Sequence, residues 1–150
     1  MSVRRLTIVK SDADGTCDHV RTDPTERAMN LNIPTLGVAA IDRDHRDAAE
    51  LLEAAAAPGA DIKEMAARLL AHCREHFARE EALMAECGFF AAHCHAEEHR
   101  RVLAEAEAAA LGREAEARDY VLGVFPRWLV EHAATMDTVT MSAWLAHKGA

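Results

Sequence analysis

The chain has 150 residues, of which 50% are hydrophobic and 5% aromatic, and its formal net charge is -8. This length is typical of one domain with one core, and the mixing of acidic and basic residues leaves no basic stripe, which argues against nucleic acid or a membrane surface as a partner. No run approaches 18 consecutive apolar residues, so we expect a cytoplasmic protein without a membrane span.

The first part of the chain, residues 1–35, has no sustained hydrophobic period and contains Gly15, Pro24 and Pro34. We predict an irregular N-terminal arm there, followed by a single domain at residues 36–150. From Ile41 onward, apolar residues and one histidine recur on a single helical stripe, which ends at a Pro-Gly pair. This pattern predicts the first helix.

The second helix is marked at both ends. Asp61, with Glu64 three residues later, resembles a capping box and predicts the helix start. The apolar period then continues to about Cys87, where Gly88 predicts the end of the helix.

Two further helices complete the expected fold. One should run from about residue 92 to 111, and the last from about 114 to 147 with an interruption near Gly123 and Pro126. Pro126 is expected either to kink this helix or to open its second half. Short connections between long amphipathic helices favour antiparallel neighbours, so we predict an all-α, up-down-up-down four-helix bundle.

Polar residues lie on the apolar stripes of these helices. The inward-facing set is His45, His76, Glu80, His95, His99 and His132, the last on a stripe with Trp128, Leu129, Met136 and Val139. Burying such groups without partners costs about 1–3 kcal/mol each, so the core needs a compensating ligand. Imidazole with carboxylate suits iron, copper, nickel or zinc. The pattern therefore predicts a metal site, with two ions favoured over one.

Four segments carry a family resemblance: G-V-A-A-I-D-R-D-H ending at His45, H-F-A-R-E-E-A-L-M from His76, H-A-E-E-H from His95, and W-L-V-E-H-A-A-T-M-D from Trp128 to Asp137. On these motifs the chain resembles the hemerythrins, and in particular the single-domain bacteriohemerythrins, over about residues 35 to 147. The resemblance implies a non-haem di-iron protein that binds dioxygen reversibly for storage, transport or sensing.

Carried over to this sequence, the resemblance implies two iron ions joined by an oxo or hydroxo bridge. His95, His99 and His132 would bind one ion. His45 and His76 would bind the other, which keeps an open position for dioxygen. Glu80 and Asp137 would bridge the two.

An apolar pocket that excludes water and protons would hinder the loss of bound oxygen as peroxide, and we expect it to be lined by Phe77, Trp128, Leu129 and Ala133. For Trp128, plain core packing is an equal alternative. Ala133 is small where the family usually has a bulky aliphatic residue, so we expect faster autoxidation than in relatives. No enzymatic role is expected, and no residue is assigned as catalytic. The alternatives are a di-iron enzyme acting on peroxide or nitric oxide, with weak peroxidase or nitric oxide reductase activity, and an oxygen-sensing signalling module.

Three smaller expectations concern spacing and leftover residues. His132 and Asp137 are five apart, about 140° around a regular helix, so a wide local turn or a sideways reach of Asp137 is required. The histidines that match no motif are expected at the surface: His19, His72, His93 and His147. The four cysteines form no C-x-x-C pair and are expected to be free thiols: Cys17, Cys73, Cys87 and Cys94.

Overall fold

The computed structural model describes residues 31–149 and is helical almost throughout that range. Its first three helices are α1 (Ala39–Ala56), α2 (Ile62–Cys87) and α3 (Ala92–Leu111). Residues 31–35 have no regular secondary structure, and the rest of the expected N-terminal arm lies outside the described residues. Among the described residues, no helix is both long and apolar enough to cross a membrane.

The predicted ends of α2 are confirmed. The Asp61 carboxylate accepts hydrogen bonds from the backbone N–H groups of Lys63 and Glu64, at 3.0 and 3.1 Å, which satisfies two of the free donors of the first turn. At the other end Gly88 has φ +61°, a left-handed conformation that a residue with a Cβ adopts only with strain.

The fourth helical stretch, residues 114–149, is continuous but changes its winding twice. It consists of α4 (Glu114–Asp119), a π-helical turn (Tyr120–Val124), α5 (Phe125–His132), a second π-helical turn (Ala133–Asp137) and α6 (Thr138–Gly149).

The first of these turns is the predicted interruption. Phe125 N–H bonds to the Tyr120 carbonyl, five residues back, and Pro126 follows in the first turn of α5. Proline cannot donate, and its ring excludes the carbonyl four residues earlier, so the wider turn accommodates it. Pro126 thus opens the second half of the stretch.

The helices pack as the predicted four-helix bundle, with short connections between long neighbours. One part of the interior is an apolar core that includes Leu52, Leu69, Val102 and Phe125, each at most 2% exposed. A smaller cluster of Val38, Ile41 and Met141 lies apart from it. Polar side chains occupy the interior beside these two clusters.

The apolar stripe predicted on the last helix is wrong beyond His132. Val139, expected inside, is 51% exposed, whereas Thr140 and Met141 are fully buried. The cause is the π-helical turn at Ala133–Asp137, which rotates the buried face relative to a regular helix.

Candidate metal centre

Seven polar side chains from all four helical stretches meet in the interior of the bundle. They are His45, His76, Glu80, His95, His99, His132 and Asp137, and each is at most 4% exposed. α1 supplies one histidine, α2 a histidine and a glutamate, α3 two histidines, and the fourth stretch a histidine and an aspartate. The structure thus brings together all seven residues that the sequence motifs singled out.

Five of these side chains form what we call the three-histidine group: Glu80, His95, His99, His132 and Asp137, whose nearest ligand atoms lie within 4.8 Å of one another. The Nε2 atoms of His132 and His95 lie 3.0 and 3.1 Å from Asp137 Oδ1. His99 Nε2 lies 3.2 Å from Glu80 Oε2. Three ring nitrogens and two carboxylates therefore point at one small volume.

The two-histidine group consists of His45, His76, Glu80 and Asp137, again with ligand atoms within 4.8 Å. His45 Nε2 is 3.3 Å from Asp137 Oδ2, and His76 Nε2 is 3.8 Å from Glu80 Oε2. Both carboxylates belong to both groups. The geometry is that of two adjacent cation sites joined by a glutamate and an aspartate.

The second π-helical turn positions Asp137. In a regular helix a residue five positions after His132 lies off the inner face, but a turn with i→i+5 hydrogen bonding returns it to that face. The Thr138 hydroxyl also donates to the Ala133 carbonyl at 2.8 Å, which gives this carbonyl a partner within the turn. The expected wide local turn is confirmed.

Several buried polar atoms of this cluster have no hydrogen-bond partner among the described residues. They are both carboxylate oxygens of Glu80 and of Asp137, Nε2 of His99, and both ring nitrogens of His45. Leaving such groups unpaired in a protein interior is costly. Nitrogen and oxygen atoms that face one another at short distance without bonding are the arrangement that metal cations would satisfy, so the residues present fit a pair of ions.

The pKa values of the two carboxyl groups move in opposite directions. Burial, together with the charge of Asp137, raises the pKa of Glu80 well above its usual value. Burial alone would also raise the pKa of Asp137, but short contacts with His132, His45 and His95 hold it well below its usual range. Without cations the centre thus keeps one carboxylate ionised and disfavours the charge on the other.

Burial also keeps imidazoles of the cluster neutral. It lowers the pKa of His99 to about 2, helped by the charges of His95 and His132. Burial lowers the pKa of His76 too, although the hydrogen bond to Asp44 opposes the shift. Neutral imidazole is the form that binds metals, so these two rings are already in the required state.

The outward-facing nitrogens of three histidines have partners that sequence reasoning missed. His76 Nδ1 lies 3.2 Å from Asp44 Oδ2, and His95 Nδ1 lies 2.9 Å from Thr140 Oγ1. His99 Nδ1 lies 3.4 Å from Glu81 Oε1. Such partners fix the ring tautomer so that Nε2 is free to bind a metal.

Asp44 is itself held by Arg79, which donates from Nε at 2.7 Å and from Nη2 at 2.9 Å. Burial would raise the pKa of Asp44, but the hydrogen bonds from His76 and Arg79 lower it to about 2. The only available signal in the sequence was its place beside His45, in the motif that ends at that histidine.

The four expected pocket residues all lie in or beside the interior. The Phe77 ring stacks on His99, with centroids 4.0 Å apart, and also lies 5.5 Å from the ring of His76. Trp128 is partly buried, stacks on His132 at 4.4 Å and donates from Nε1 to Glu98. Leu129 and Ala133 are 3% and 0% exposed.

The histidines outside the motifs differ in their exposure. His93 and His147 are exposed, as expected, and His19 lies outside the described residues. The surface expectation holds only in part for His72, which is half-buried. Its ring stacks on His76 with centroids 6.2 Å apart, and its Nε2 has no partner among the described residues. It lies one turn before His76 on the same helix face, and the packing of α1 over that face covers it.

Three cysteines are free thiols, as expected: Cys73, which is buried, Cys87, which is half-buried, and Cys94, which is exposed. Cys17 lies outside the described residues. No thiol belongs to the two metal-binding groups. Five imidazoles with two carboxylates form a nitrogen and oxygen donor set, which suits iron, copper, nickel or zinc.

Comparison with known proteins bears on which metal the site binds. Residues 36–143 match the family model described as Hemerythrin HHE cation binding domain. The chain is also 38% identical, over 120 residues, to a bacteriohemerythrin of Ralstonia nicotianae, and the alignment covers 76% of this chain and 85% of that protein. No solved structure matches the chain.

Proposed function

The chain belongs to the hemerythrin family of di-iron oxygen-binding proteins, and on that premise we propose that it holds two iron ions in the interior of the bundle and binds dioxygen reversibly. The observation that carries the proposal is the pair of adjacent groups that share Glu80 and Asp137. Two carboxylates that belong to both groups suit a two-ion centre, since each carboxylate can offer one oxygen to each ion.

In this proposal His95, His99 and His132 bind one iron, and His45 and His76 bind the other. Glu80 and Asp137, which belong to both groups, would be shared by the two ions. The two-histidine group offers one imidazole fewer, so dioxygen would be taken up on that side. The iron pair, when bound, would supply the electrons that dioxygen takes up and gives back.

The protein's own contribution is to supply mostly neutral ligands, to exclude water from them and to hold them in place. Five imidazoles carry no charge in their metal-binding form, whereas the glutamate-rich sites of other di-iron bundles favour higher oxidation states. Every ligand is at most 4% exposed. Excluding water limits proton access to bound oxygen, which favours release over reduction.

The decisive test is metal analysis of the purified, iron-reconstituted protein, with optical spectra before reduction, after reduction and after admission of air. We expect two irons per chain and a visible band that appears with air and vanishes on degassing, over repeated cycles. Fewer than two irons would overturn the proposal.

Turnover separates carriage from an enzymatic role. The same sample is mixed with excess peroxide or nitric oxide under a supply of electrons, and consumption is followed over many cycles. Consumption far beyond one molecule per centre, combined with an oxygen band that does not return after degassing, would favour a di-iron enzyme instead. We expect consumption to stop at about the number of centres present.

A further inference from the structure

The two metal-binding groups differ in the partners of their outward-facing imidazole nitrogens. In the two-histidine group, His76 Nδ1 faces the carboxylate of Asp44 at 3.2 Å. Asp44 is 5% exposed, so this is a buried ionic partner. Two hydrogen bonds from Arg79, at 2.7 and 2.9 Å, fix the orientation of that carboxylate. The result is a hydrogen-bonded series that runs from Arg79 at the edge of the bundle, through Asp44, to the outward-facing nitrogen of His76.

The three-histidine group has no equivalent among the described residues. The partner of His95 Nδ1 is the neutral hydroxyl of Thr140, at 2.9 Å. The partner of His99 Nδ1 is Glu81, whose carboxylate lies farther away, at 3.4 Å. The Glu81 side chain is 47% exposed, so solvent screens its charge. Among the described residues, the Asp44 carboxylate thus contacts an imidazole of the two-histidine group only.

A carboxylate that accepts a hydrogen bond from the Nδ1–H of an imidazole makes Nε2 more basic and a stronger electron-pair donor to a metal. A stronger electron-pair donor favours the higher charge on a bound cation. A guanidinium on the far side of the carboxylate draws electron density the other way. The two residues therefore have opposing effects on His76, transmitted through the same hydrogen bond.

We propose that Asp44 and Arg79 are a positioning pair that sets the donor strength of His76 and so the ferric-to-ferrous balance of the ion with the open position. The inference rests on the proposed function. In it Asp44 favours the ferric state, and Arg79 tempers that preference so that the reduced, oxygen-binding state remains accessible.

The test is the reduction potential of the iron-loaded protein, measured by titration with redox mediators while the optical spectrum is followed. We expect Asp44→Asn to raise the potential and Arg79→Gln to lower it. Glu75→Gln is the matched control, since it removes a carboxylate 3.9 Å from the same guanidinium but not the one that contacts His76. We expect no shift from it.

Two further measurements do not depend on oxygen binding. Iron loss to a chelator should rise in Asp44→Ala, because loss of such an outer partner typically costs about 10–100-fold in metal affinity. In the metal-free protein, nitrogen NMR of the His76 ring should show a proton on Nδ1, and Asp44→Ala should give a mixture of tautomers.

The outcomes are distinct. Potentials that move in opposite directions for Asp44→Asn and Arg79→Gln, with Glu75→Gln unshifted, support the pair. A shift of the same sign in both variants, or none, overturns it, as does a Glu75→Gln shift equal in size to that of Asp44→Asn. If Asp44→Asn does not fold, Arg79→Gln against Glu75→Gln decides alone. Wild-type protein with fewer than two irons overturns the proposed function as well.

Discussion

His132 Nε2 lies 3.0 Å from Asp137 Oδ1, although the two residues are five positions apart on one helical stretch. The π-helical turn Ala133–Asp137 makes the contact possible. It also places the Asp137 carboxylate between the two metal-binding groups, where Oδ1 faces His95 and His132 while Oδ2 faces His45. One local change of winding therefore links both sites.

The first prediction concerns this bridge. Asp137→Asn keeps the shape of the side chain but removes the charge and one metal-binding oxygen, so we expect iron content below two per chain and no oxygenated band. Metal analysis after reconstitution checks this. Asp119→Asn, the same substitution at an exposed site on the same helical stretch, should leave iron content unchanged. Full iron content in Asp137→Asn would contradict the bridging role.

Much of the fold could be predicted because its signals are local. The cap at Asp61, the left-handed Gly88 and the 3.6-residue period set helix ends and inner faces without reference to the rest of the chain. The inward direction of the motif histidines follows from the same period. The need for a wider turn between His132 and Asp137 is visible in the sequence as a spacing that no regular helix can satisfy.

What the sequence could not supply depends on tertiary packing. The prediction places Val139 inside because it extends the regular helical period through the turn after His132. That turn is π-helical and rotates the helix, so Thr140 is buried instead. Asp44 and Arg79 come together across α1 and α2, 35 residues apart, and nothing local marks them as partners. The half-burial of His72 has the same cause, since residues of the neighbouring helix α1 lie beside it.

A second prediction follows from the raised pKa of Glu80. In the metal-free protein its carboxylate is buried without a partner, so Glu80→Gln should increase the free energy of unfolding by about 1–3 kcal/mol at neutral pH. A carboxyl group whose folded-state pKa is raised is most favourable below its unfolded pKa, 4.5, and loses this contribution as the pH rises through the folded value. The gain from Glu80→Gln should therefore grow as the pH rises from about 5 to 8.

Chemical denaturation of metal-free wild type and variant at several pH values measures this difference, in which the titration of the histidines largely cancels. Glu53→Gln is the control, because its exposed carboxylate lies outside both metal-binding groups and should show no such trend. In the iron-loaded proteins the order of stability should reverse, with wild type more stable than Glu80→Gln, since the variant loses a bridging ligand. A metal-free variant less stable than wild type at pH 8 would refute the assignment of an unpaired buried carboxylate.

A third prediction separates the cysteines. Cys73 is 1% exposed, and burial raises the pKa of its thiol to about 12, whereas Cys94 is exposed. At pH 8 only about one Cys73 thiol in ten thousand would be ionised. Iodoacetamide should modify Cys94 in the native protein and Cys73 only after unfolding, as read by peptide mass spectrometry. Equal native rates would show that Cys73 is a reactive group near the centre rather than part of the core.

The last prediction concerns Ala133, which follows His132 directly and is fully buried. A larger aliphatic side chain there would occupy space beside the ligand helix and hinder the water and protons that convert the oxygenated form to the oxidised one. We expect Ala133→Ile to slow autoxidation about tenfold, which corresponds to about 1.4 kcal/mol in the barrier. We expect overpacking to lower the free energy of unfolding by about 1–3 kcal/mol, so stability is measured on the same samples. Ala134→Ile, on the exposed side of the same turn, carries the same change in helix propensity without entering the interior, and its autoxidation rate should match wild type. An unchanged rate in Ala133→Ile, in a variant that still binds two irons, would remove Ala133 from the wall of the oxygen pocket.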